Sequence, residues 1–104
     1  MHFWKDKQTR AQLKTLLLRE LGERVRKIRK SNGLTQTHIA KRMGVSTPVV
    51  SELERGQLNP TMNTYFMLCM ALEIEPDELL ADLPGALNMK ALSKENCTQD
   101  SRSN

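Results

Sequence analysis

Between Gln36 and Arg55 the sequence QTHIAKRMGVSTPVVSELER spaces its small and aliphatic residues in a way that sharply restricts how the segment can pack. Ala40 is small where one short helix must lie close against the next, and Gly44 permits the positive φ of a three-residue turn. Val45, Val50 and Leu53 then lock the second helix at a steep angle to the first. Thr35 reads as the N-cap of the first helix, which buries Ile39, Ala40 and Met43 at helical spacing over about two turns. Ser46 reads as the N-cap of the second, with Pro48 in a first turn where its missing amide donor costs nothing. A helix held this way projects Thr47, Pro48, Val49, Ser51 and Glu52 outward, and such a face has little reason to be exposed unless it meets a partner.

The flanking sequence repeats the helical period, and strand signals are nearly absent. Leu13, Leu16, Leu17 and Leu21 recur at spacings of three and four, as do Leu21, Val25 and Ile28, the stripe of an amphipathic helix. Either two helices meet near Gly22 or one runs through it, and Ser31-Asn32-Gly33 stops the segment. After Gly56 and the loop Gln57 to Pro60, Thr61 caps a helix through Leu72 with Met62, Tyr65, Leu68, Cys69 and Leu72 inward. Pro76 opens a last short helix, Asp77 to Ala81, with acids at its positive end. The pattern fades after Pro84-Gly85, and residues 97–104 are small and polar, as in disordered chain. The expected architecture is all-α: an N-terminal helical extension over 1–20, a compact five-helix domain over 21–82, and a flexible tail over 83–104.

Composition excludes most other classes. A chain of 104 residues supports one core, and with only 4% aromatics that core must be aliphatic. The longest apolar run, Phe66 to Leu72, is far shorter than the roughly 20 residues that span a bilayer. Lys5, Asp6, Lys7 and Arg10 break up what would be a signal peptide's apolar centre, so a cytoplasmic protein without membrane contact is expected. Cys69 and Cys97 match neither a disulfide framework nor a zinc motif, and reduced thiols are expected, Cys69 as a buried inert one. His2 and His38 have no ligand-spaced partners, and no nucleophile, paired-carboxylate or glycine-rich phosphate motif occurs. No metal, cofactor or catalytic residue is therefore expected. The net charge of +4 is uneven: residues 1–30 carry ten Lys/Arg against three Asp/Glu, and residues 61–104 carry three against seven. Clustered cations of this kind suit a polyanion such as nucleic acid.

An α-helix fits the major groove of B-form DNA, with its N-terminal residues reaching base edges. From Leu21 to Leu80 the sequence resembles the helix-turn-helix regulators of the Cro and phage-repressor type. Leu34-Thr35-Gln36, Ala40, Gly44, Val50, Leu53-Glu54-Arg55-Gly56 and Pro60-Thr61 all fall where that family places them. The resemblance implies a repressor-like domain that binds double-stranded operator DNA, usually as a homodimer. It makes Gln36 a phosphate contact at the N-terminus of its helix and puts Thr47, Pro48, Ser51 and Glu52 at base-facing positions. Pro48 and Val49 would pack on thymine methyls, and Glu52 would accept from a cytosine amino group. Thr35, Ser46, Arg55, Asn59 and Asn63 complete the expected DNA-contacting set, while Arg29 and Glu54 match a pair that bridges the first helix to the third. Two alternatives stay open: an autorepressing antitoxin that also binds a toxin, and a protein-interaction module that retains the fold. A toxin or RNA polymerase is the kind of protein partner implied.

One surface stands outside the resemblance. Phe66, Met67 and Met70 sit on sides of their helix that usually tolerate polar residues, and Leu13, Leu16 and Leu17 form an unexplained stripe. The two are expected to cover each other, within one chain or across a dimer.

Overall fold

The computed structural model describes residues 5–81 and 83. Five helices follow one another: α1 (Lys7–Ser31), α2 (Gln36–Met43), α3 (Thr47–Glu54), α4 (Met62–Leu72) and α5 (Pro76–Leu80), with no strand among the described residues. The expectations for His2, Cys97 and residues 84–104 lie outside that set.

Local chemistry sets the ends of the helices. Asp6 caps α1 by accepting from the Gln8 amide at 3.2 Å and from the Thr9 hydroxyl. The Thr9 bond, more than any other contact, holds the Asp6 carboxyl below the usual carboxylate range. Thr35 and His38 cap α2 reciprocally, the His38 amide donating to the Thr35 hydroxyl and the Thr35 amide to His38 Nδ1, each at 3.1 Å. His38 is therefore a helix cap. Gly44 ends α2 at φ +73°, the left-handed turn that α3 requires. Thr61 caps α4 by accepting from the Thr64 amide at 3.2 Å.

The core draws on all five helices, with Val25, Ile39, Val50, Leu53, Leu68, Leu72 and Leu79 buried together. Cys69 is buried among them. The Tyr65 hydroxyl donates to the Pro76 carbonyl, and Arg24 donates to the carbonyls of Leu79, at 3.2 Å, and Ala81, which fastens α5 to α4 and α1.

Several expectations need correction. Of the two arrangements left open at Gly22, the continuous one is found: α1 runs through it, so the boundary drawn at residues 20 and 21 falls inside a helix. Gly22 is a contact residue, because a Cβ there would lie 2.5 Å from the Leu53 carbonyl oxygen and equally close to that of Glu54. Gly56, at φ +73°, similarly leaves no room for a Cβ against the Arg19 backbone, 2.9 Å from its Cα. The extension is thus carried past the turn between α3 and α4, and within the chain it leaves Phe66 47% and Met70 76% exposed. Met62, expected inward, is 73% exposed because it opens α4 at the edge of the core. Leu83, assigned to the tail, is buried four residues after the buried Leu79.

Candidate nucleic-acid interface

A buried polar cluster fixes α3 to the rest of the molecule. Arg29 of α1 meets Glu54 of α3 with two parallel bonds, Nε to Oε2 at 2.5 Å and Nη2 to Oε1 at 3.0 Å. Such paired geometry constrains orientation as well as distance. The third nitrogen of the guanidinium, Nη1, donates to the Leu34 carbonyl at 2.9 Å, so the same side chain also holds the strand of chain entering α2. Gln36 Nε2 donates to Glu54 Oε1 at 3.0 Å. The carboxylate, with its side chain only 4% exposed, therefore ties α1, α2 and α3 together. Its hydrogen bond raises the Arg29 pKa above the ordinary guanidinium value.

The arrangement leaves one side of α3 free. Val50, Leu53 and Glu54 are buried, while Pro48 and Arg55 are exposed and Thr47, Ser51 and Glu52 are half-exposed. Thr47 Oγ1 lies 3.4 Å from Thr37 Oγ1, linking the starts of α2 and α3. Val49 departs from the expected outer face, since it is half-buried and packs against the core. Ser46 stands at the N-cap of α3, but its side chain makes no capping bond. The first amides of α3 thus lack an intrahelical side-chain acceptor, which suits an approaching anion.

Around this face the other expected residues take varied positions. Gln36 opens α2 with its amide turned to Glu54, a bond that sequence spacing had not revealed. Thr35 is occupied as the α2 cap. Arg55 Nε donates to the Ser51 carbonyl at 3.3 Å, which lays its guanidinium back along α3. Asn59 is exposed in the loop, and Asn63 is exposed on α4 with Nδ2 3.5 Å from Met67 Sδ. Of the expected apolar contact residues, Leu13, Leu16 and Met67 are half-buried, while Leu17, Phe66 and Met70 are exposed. Gly22 and Gly56, which hold α1 against the end of α3, were missed as contact residues. For Gly22 the available signal was a glycine inside an otherwise unbroken amphipathic stripe.

Comparison with known proteins agrees with this geometry. A family model described as helix-turn-helix matches residues 25–79. An HTH-type transcriptional regulator of Sinorhizobium fredii, y4dJ, is 38% identical over 60 residues, which are 58% of this chain and 78% of that protein. The antitoxin HipB of Escherichia coli is 31% identical over 55 residues, covering 53% of this chain and 62% of HipB. Among solved structures, the restriction-modification controller protein C.AhdI of Aeromonas hydrophila superposes with a TM-score of 0.58 at 39% identity, covering 60% of this chain and 94% of that one.

Proposed function

The chain belongs to the helix-turn-helix family, whose members are DNA-binding transcription regulators rather than enzymes, and from that premise we propose a sequence-specific repressor that binds a palindromic operator as a homodimer. The observation that carries this reading is the free side of α3, kept rigid by the Arg29, Glu54 and Gln36 cluster. In the proposed complex Thr47, Pro48, Ser51 and Glu52 face base edges, Pro48 against a thymine methyl and Glu52 accepting from a cytosine amino group. Gln36, Thr35, Ser46, Arg55, Asn59 and Asn63 hold the phosphate backbone and carry no sequence information themselves. The Gln36 amide group has a second N–H available for phosphate while the first stays on Glu54.

One recognition helix reads few base pairs, so the operator is read by two copies with half-sites about 10 base pairs, or ~34 Å, apart. The exposed Phe66 and Met70, with Leu17 on α1, supply the apolar surface for that pairing. Sedimentation at micromolar concentration, with and without DNA, tests it, and a strict monomer in both conditions contradicts it.

A second reading rests on the likeness to the antitoxin HipB: the same apolar surface would hold a toxin, and the chain would repress its own operon. Co-expression with the product of the neighbouring gene distinguishes the two, since only the antitoxin reading predicts a stable complex.

A further inference from the structure

We infer that Arg19, Arg26 and Lys30 form a second phosphate-binding ridge along α1, gripping the DNA backbone beside the groove that α3 enters. The inference rests on the DNA-binding reading above and extends its contact surface to a helix that the base-reading residues do not include.

Three observations carry it. All three cations are exposed, and among the described residues none forms an ion pair, whereas Arg24 and Arg29 of the same helix are engaged with Glu20 and Glu54. At 3.6 residues per turn, Arg19, Arg26 and Lys30 lie within about 40° of one another, while the core residues Val25 and Ile28 point about 120° to 180° away. Finally, α1 touches the end of α3 by backbone, at Gly22 against Leu53 and Glu54 and at Arg19 against Gly56.

That contact fixes which way the ridge faces. Gly22 and Arg29, which meet α3, lie roughly 60° to 80° from the ridge, between it and the core side. On α3 the same order holds in mirror fashion. Glu54 faces α1, Val50 and Leu53 turn from it toward the core, and Ser51, Arg55 and Pro48 turn from it outward by about 60° to 120°. The outer sides of the two helices therefore adjoin across their contact and look out on one side of the molecule. Exposed Arg55, just past the end of α3, adds a further cation to that outer side. Glu23, also exposed, sits within the ridge and opposes an approaching phosphate.

The test is the salt dependence of binding by the full chain to a mixed-sequence duplex of three turns, ~30 base pairs, between about 50 and 200 mM KCl. Each lost phosphate contact lowers the slope of log Kobs against log salt by about 0.9, so Arg19→Gln, Arg26→Gln and Lys30→Gln together should lower it by about 2 to 3. Base preference should be unchanged, because phosphate contacts carry no sequence information. Glu23→Lys should do the reverse, tightening binding and steepening the slope by about 1. A wild-type slope in the triple variant overturns the ridge and leaves the reading of α3 intact. Absence of salt-dependent duplex binding by the wild-type chain overturns both.

Discussion

Glu54 accepts three hydrogen bonds from two helices, and its loss should be felt throughout the fold. Removing it leaves the Arg29 guanidinium charged and nearly buried without its partner, because that group cannot neutralise itself at accessible pH. Breaking a buried pair costs about 3 to 5 kcal/mol, and one edge of this pair reaches solvent through Gln36, so Glu54→Ala is expected near the low end. Urea denaturation checks this, and a loss below about 1 kcal/mol would mean that the pair is effectively at the surface. Cys69 offers a second test. Burial pushes its thiol pKa up, and a group raised in the folded state stabilises fully below its unfolded pKa, then loses that contribution as pH rises. In a Cys97→Ser background, the urea midpoint should hold below the ordinary thiol value of about 8.5 and fall as pH rises above it, and Cys69→Ala should flatten the fall.

At the scale of the helices, α1 depends on Gly22 in a way its sequence only half disclosed. Alanine favours a helix by about 1 kcal/mol over glycine, so Gly22→Ala looks stabilising on propensity alone. The added methyl would instead strike two carbonyl oxygens of α3, and backbone cannot move aside as a flexible side chain can. Overpacking of this kind typically costs about 1 to 3 kcal/mol, and thermal melting should show Gly22→Ala destabilised. Gly33→Ala, at φ +69° with open space around it, should lose only its backbone strain, about 1 kcal/mol. An unchanged or higher melting temperature for Gly22→Ala would contradict the α1–α3 contact. The caps at Thr35 and Thr61, the turn at Gly44 and the inward face of α3 were legible in the sequence, because each depends on residues a few positions apart. Gly22, Gly56, the Gln36 bond to Glu54 and the exposure of Met62 were not, since each depends on which helix comes to lie nearby. Residue spacing alone contains no such term.

For the whole molecule, exposed cations on the outer side of α1 and at Arg55, just past the end of α3, stand beside an apolar surface that the chain leaves uncovered on α4. Replacing Phe66 and Met70 by Ser and Gln should weaken self-association and lower operator affinity more than it lowers stability, since both side chains are exposed in the single chain. Sedimentation equilibrium beside a melting curve checks this, and a dimer that survives the exchange places the interface elsewhere. The central claim is that the free side of α3 reads sequence. The most direct test is selection of bound duplexes from a random pool, run in parallel for the wild-type chain and for a variant carrying Thr47→Ala and Glu52→Ala. The account predicts that the wild type enriches a two-fold symmetric site with half-sites about 10 base pairs apart, and that the variant enriches a different half-site at the same spacing. The same half-site emerging from both chains would contradict it.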